Sequence, residues 1–101
     1  MNLIIKACDE ILSGKHKDQF PIDIFQTGSG TSTNMNVNEV ISNVANSFSD
    51  EIIHPNDDVN MGQSSNDVIP TAIHVSSFLM VEEKLLPSLN ILLETLDRKS
   101  N

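Results

Sequence analysis

A mainly α-helical protein is what this sequence predicts. Apolar residues from Val68 to Leu96 recur in alternating steps of four and three, with Glu82 the one polar break, the spacing that keeps one face of a helix apolar. Two earlier stretches, 1–13 and 33–48, show helical spacing on a smaller scale. Strand-like alternation is confined to Phe20 to Phe25, where Pro21 and Asp23 interrupt it and leave a short extended or irregular segment.

Residues 1 to 13 are expected to form a helix with Leu3, Ile4, Ala7, Ile11 and Leu12 on one face, ended by Gly14. Gly14 to Asp18 is a polar turn. A charge-free run follows, Gln26-Thr-Gly-Ser-Gly-Thr-Ser-Thr-Asn-Met-Asn-Val-Asn38. Gly28 and Gly30 let the backbone turn tightly and approach a ligand closely, and Ser29, Thr31, Ser32 and Thr33 add hydroxyls. Such a turn at a helix start suits an anion, because unpaired N–H groups point outward there. It also suits an ordinary Ser/Thr cap after a glycine turn, and the residues alone leave both readings open. The helix expected from Thr33 to Phe48 has Met35, Val37, Val40, Ile41, Val44, Ala45 and Phe48 as its apolar positions. Asparagines at 34, 36, 38 and 43 are poor helix formers, so they either hydrogen-bond something specific or cap and bridge loops.

A loop is expected from Asp50 to Ser65, holding Ile52-Ile53 and His54-Pro-Asn-Asp-Asp-Val-Asn60. Pro55 disfavours helix at His54, and Asn56 and Asp57 are turn formers. Gln63-Ser-Ser-Asn-Asp67 reads as a second capped helix start, with Pro70 tolerated in its first turn. The last helix carries Val68, Ala72, Val75, Leu79, Leu86, Leu89, Leu93 and Leu96, widened by Ile69, Ile73, Leu85 and Leu92. A stripe this wide wants cover on several sides, as in a bundle, and Pro87 predicts a break or kink near Leu86. No other helix here is long enough to cover it. Either the protein oligomerises through this helix or the chain is part of something longer.

With 101 residues, 39% of them hydrophobic, four Phe and no Trp or Tyr, the chain makes at most one small domain with a thin aliphatic core. A net charge of -8 argues against nucleic acid and anionic membranes as partners. Between Lys17 and Lys84 there is no Lys or Arg, yet ten of the 14 acidic residues lie there. An anion site in that interval must use N–H groups, hydroxyls, amides or a histidine, or borrow a cation. The single cysteine, Cys8, excludes an internal disulfide and fits a reducing compartment; on an apolar helix face it reads as a packed, inert thiol rather than a nucleophile. Neither a signal peptide nor a membrane span of about 20 apolar residues is present, so the expected protein is soluble and intracellular.

Three polar clusters stand out: Ser29-Gly-Thr31, His54-Pro-Asn-Asp57 and Ser64-Ser-Asn66. Together they point to a polar ligand. A dinucleotide fingerprint lacks its third glycine, and a P-loop lacks its Gly-Lys-Ser/Thr end. His16, His54 and His74 are not at metal-ligand spacing, and no Gly-x-Ser-x-Gly elbow exists. His74 reads as a packing or surface residue. His54, borne on a loop beside Asn56 and Asp57, is the better functional histidine, with a structural role as its alternative.

The three clusters also carry a resemblance. Gln26 to Val40, Ile53 to Asn60 and Gln63 to Val75 resemble the class II fumarate hydratases, of the fumarase/aspartase superfamily, in order and with matching gaps over nearly the whole chain. Aspartate ammonia-lyases typically have Asn-Pro-Asn-Asp and Ser-Thr-Asn-Asp where this chain has His54-Pro-Asn-Asp57 and Ser65-Asn-Asp67. Those positions favour the hydratase.

The resemblance implies reversible hydration of fumarate to L-malate in the tricarboxylic acid cycle, with no metal or organic cofactor. It implies a homotetramer whose long helices form a central core, with each active site built from three subunits. Residues 1–62 would end the N-terminal domain, and 63–101 would begin the central one with its first long helix. Ser29, Gly30 and Thr31, with Ser64, Ser65 and Asn66, would bind a substrate carboxylate. His54, Pro55, Asn56 and Asp57 would match a second dicarboxylate site. The family's catalytic histidine and its Gly-Ser-Ser-x-Met-Pro-x-Lys-x-Asn serine loop have no counterpart here. The chain is therefore expected to be an internal fragment, without catalytic residues and inactive alone, of a cytoplasmic enzyme, or a mitochondrial one in a eukaryote. Two alternatives stand beside this: a helical oligomerisation module without a ligand, and a related lyase acting on aspartate or argininosuccinate.

Overall fold

The computed structural model describes residues 2–25 and 30–100. Helix α1 (Asn2–Leu12) stops where Gly14 adopts φ 85°, the left-handed conformation that suits glycine at a helix end, and donates its N–H to Ile11 O at 2.9 Å. Ala7 is fully buried, with Leu3 and Ile11 packed beside it. Leu12, expected on the same face, is instead 84% exposed. It lies about 100° round the helix from Ile11, beyond the reach of the core.

Helix α2 (Thr31–Asn46) starts and stops two residues before the expected limits. Val40, Val44 and Ala45 face Ala7, and Phe20, Ile41, Phe48 and Ile53 close the edges. The two alanines are both at 0% exposure, and small residues at a crossing let two helices approach closely. Phe48 falls past the end of α2, and Lys6 Nζ stands 3.9 Å from its ring centroid, a cation–π contact. Between α1 and α2 a 3-10 turn spans Lys17–Gln19, and Asn36 Nδ2 holds it by donating to Gln19 O at 3.1 Å.

After α2 the chain is fastened back onto it. Ser42 Oγ and Asn46 Nδ2 donate to Ile53 O at 2.6 and 3.1 Å, and Ile53 N–H donates to Asn46 Oδ1 at 2.7 Å. Part of the expected loop is then a π-helical turn, Pro55–Val59, with Val59 buried. His54 before it is extended, at φ -92° and ψ 135°, the region a following proline imposes.

Helix α3 (Ser65–Met80) opens with Ser64 O accepting from Asp67 and Val68 N–H at 3.0 and 2.9 Å. Pro70 consequently stands in the second turn, not the first, where its missing N–H leaves the carbonyl of exposed Asn66 without a helical donor.

Two compact units result, Met1–Ile69 and Pro70–Asn101. The second contains the rest of α3, a π turn at Val81–Leu85, and α4 (Leu86–Ser100). The break expected near Leu86 takes the form of that π turn, in which Leu86 N–H donates to Val81 O. Pro87 cannot donate to the carbonyl four residues back and its ring crowds that carbonyl. A wider turn just before it relieves the crowding. Among the described residues there is no strand, and no helix is long and apolar enough to cross a membrane. No side chain in 70–100 is buried.

Candidate functional site

Gly30 precedes α2 at φ 65° and ψ 13°. Its carbonyl accepts the first helical N–H, from Asn34, at 2.9 Å. A cap residue without a side chain cannot satisfy the free N–H groups of the first turn, as a Ser, Thr or Asn cap would. The ordinary cap reading therefore does not apply at Gly30. Gly28 and Ser29 lie outside the described residues.

Thr31, the first residue of α2, places its Oγ1 3.4 Å from Oγ of Ser65, the first residue of α3. Two of the three polar clusters, 34 residues apart, thus meet at the first residues of two helices. Each N-terminus carries about half a positive charge from its peptide dipoles. The pair supplies positive potential in an interval that has no Lys or Arg. Ser64 and Asn66 are exposed beside Ser65, which is half-buried. Hydroxyls, backbone donors and two dipoles without a local cation make a place that can hold a carboxylate.

The His54 cluster stands elsewhere along α2. Ile53 is held by Ser42 and Asn46, eleven to fifteen residues beyond Thr31, or roughly 16–22 Å along the axis at 1.5 Å per residue. His54 caps its own turn: Nδ1 accepts from Asn56 and Asp57 N–H at 3.3 and 3.4 Å, and its backbone N–H donates to Asp58 Oδ2 at 2.7 Å. With Nδ1 an acceptor, the neutral ring carries its proton on Nε2. Its Nε2 edge is then a donor. Asp57 Oδ2 also lies 3.4 Å from Nδ1.

His74 Nδ1 lies 2.8 Å from Pro70 O. Burial, with the charge of Asp9, pushes the Cys8 thiol up, away from the reactive thiolate. Among the described residues no three His, Cys, Asp or Glu stand together as a metal site.

The sequence reading missed Asn60. Its Oδ1 accepts from both Asn34 and Asn38. The poor helix formers at the start of α2 were the available signal, and their partner 22 to 26 residues away was not.

The family described as Lyase matches residues 1–101. The chain is 56% identical over 103 residues to the class II fumarate hydratase of Staphylococcus aureus (strain COL), covering 97% of this chain and 22% of that protein. It is 58% identical over 106 residues to that of Prochlorococcus marinus subsp. pastoris, covering 99% and 23%. With the Helicobacter pylori (strain J99) enzyme the identity is 59% over 103 residues, covering 96% and 22%. The crystal structure of a class II fumarase from Schistosoma mansoni superposes with a TM-score of 0.87 at 50% identity, over 97% of this chain and 22% of that one. The chain thus spans between a fifth and a quarter of the length of these relatives.

Proposed function

Since this chain belongs to the lyase family, we propose that it is one segment of a class II fumarate hydratase, the enzyme that interconverts fumarate and L-malate. The observation that carries the reading is the meeting of Thr31 and Ser65 at two helix N-termini. In this reading Ser29, Gly30 and Thr31, with Ser64, Ser65 and Asn66, hold one carboxylate of the C4-dicarboxylate. His54, Pro55, Asn56 and Asp57 form a second dicarboxylate-binding patch. Residues 1–62 close an N-terminal domain and 63–101 begin a central helical one. The whole enzyme is a homotetramer of the tricarboxylic acid cycle, working in the cytoplasm.

Dehydration of malate requires a base to take a C3 proton and an acid to protonate the departing C2 hydroxyl. The intermediate is an aci-carboxylate dianion, stabilised by donors aimed at the carboxylate that gains charge. This segment contributes binding and orientation. The base, the acid and any cation come from the rest of the protein.

The test is Thr31→Val in the full-length enzyme, read as the absorbance of fumarate during malate dehydration. Losing one hydroxyl donor to a charged carboxylate is expected to lower kcat/KM about ten- to a hundredfold with the assembly intact. Wild-type kinetics in that variant would remove Thr31 from the site. Wild-type protein that turned over aspartate and not malate would replace the hydratase by a related lyase.

A further inference from the structure

Asn60 joins three parts of the first unit. Its Oδ1 accepts from Asn38 Nδ2 at 3.0 Å and from Asn34 Nδ2 at 3.2 Å. Its backbone N–H closes the π turn on Pro55 O at 2.9 Å, and its carbonyl accepts from Gln63 N–H at 3.0 Å, directly before Ser64 and Ser65. Both amide donors belong to buried residues, Asn34 at 6% exposure and Asn38 at 4%. If the acceptor is lost, water does not easily replace it. Asn34 is also the residue whose backbone N–H closes the first turn of α2 on Gly30, beside Thr31.

We propose that Asn60 is a positioning residue, which holds the start of α3 in register with the start of α2 through one carbonyl that accepts two buried amides. This rests on the reading of Thr31 and Ser65 as carboxylate-binding residues. The separation between their hydroxyls follows from where α2 and α3 begin, and Asn60 is bonded near both beginnings. A small displacement of donors aimed at a carboxylate weakens binding steeply. A residue that merely stabilises the fold changes how much enzyme is folded and leaves KM where it was.

The chemistry fixes what position 60 requires. Two amide N–H groups face it, so a carboxylate serves in place of the carboxamide, and a methyl group does not. In the full-length enzyme, Asn60→Ala is expected to raise KM for malate and fumarate about tenfold. Asn60→Asp is expected to stay within about threefold of wild type. Hydrogen–deuterium exchange gives a readout independent of turnover: in Asn60→Ala, residues 54–60 and 63–69 exchange faster together, while α1 does not. An Asn60→Ala variant with wild-type KM overturns the proposal, as does an Asn60→Asp variant impaired like Asn60→Ala. Should Asn60→Ala fail to fold, Asn60→Ser, whose shorter hydroxyl reaches the two amides less well, decides: a raised KM upholds the proposal and a wild-type KM overturns it. A wild-type enzyme inactive on malate and fumarate removes the hydratase reading instead. Exchange then judges the positioning, and a rise confined to residues 54–60 refutes it.

Discussion

At Gly30 two demands coincide on one backbone position. The φ of 65° costs an L-residue about 1–2 kcal/mol. A Cβ there would stand 2.6 Å from Ile69 Cγ2 and 2.8 Å from its Cγ1. Both branches of the isoleucine are in the way, so no single rotation clears them. Gly30→Ala is expected to destabilise by about 2 kcal/mol or more, measured as a shift in urea midpoint. Because part of that cost is contact with Ile69, Gly30→Ala and Ile69→Ala should be non-additive. The double variant should be more stable than the sum of the singles predicts, by about 1–2 kcal/mol. Strict additivity would show that the two residues do not touch in solution.

Glu10 gives a pH dependence whose sign is fixed by its partners. Lys15 Nζ donates to Oε1 at 2.8 Å, and His16 Nε2 lies 3.0 Å from Oε2. Hydrogen bonds from Lys15 and then His16 hold the carboxyl below its ordinary value. A depressed folded value means that the interaction stabilises the fold above the unfolded carboxylate pKa and is lost as pH falls through the folded one. Carbon-13 NMR should find the Glu10 carboxyl titrating below a glutamate in an unstructured peptide. Lys15→Met should bring it back up, and a midpoint that does not move would show that the pair does not persist in solution.

At the scale of elements, helical periodicity was legible and the joints between helices were not. The apolar spacings of 1–13, 33–48 and 68–96 located α1, α2 and the α3–α4 run, because burying one face is a local demand on the sequence. The start of α2 lies two residues before the expected one, since Gly30 stands in the left-handed region and the helix begins directly after it at Thr31. The π turn at Pro55–Val59 stands where the sequence predicts a loop. Its place against α2 follows from bonds that Ser42 and Asn46 make to Ile53, eleven and seven residues away, and no window of local pattern contains them. The candidate site divides in the same way. Thr31, Ser65 and His54 could be singled out from residue type. That the first two touch across 34 positions while His54 stands farther along α2 is a matter of packing. The π turn at Val81–Leu85 changes the stripe as well. One extra residue per turn leaves everything downstream lagging by about 100°, so Leu86, Leu89, Leu93 and Leu96 do not continue in line from Val68, Ala72, Val75 and Leu79.

For the molecule as a whole, the second unit poses the question of what its apolar surface is for. None of its described side chains is buried, and Leu92 and Leu96 are 53% and 57% exposed. Burying a leucine is worth about 1.5–3 kcal/mol, so a helix with this many half-exposed apolar residues has a strong preference for neighbours. The chain covers 22% of its S. aureus relative, and in the enzyme proposed above further chain and further copies would supply them. In the proposed tetramer, where each site draws on three subunits, covering this helix and completing the site are one event. Replacing Leu92 and Leu96 together by Lys places two charges where the neighbouring helices should lie, and an unpaired buried charge costs several kcal/mol. The full-length double variant is therefore expected to sediment as smaller species and to lose malate dehydration in proportion. The segment around Thr31 and Ser65 should keep its wild-type exchange protection, since its bonds lie within the first unit. A variant that sediments and turns over like wild type would mean that this face of α4 is solvated in the working enzyme, and that the site is completed without it.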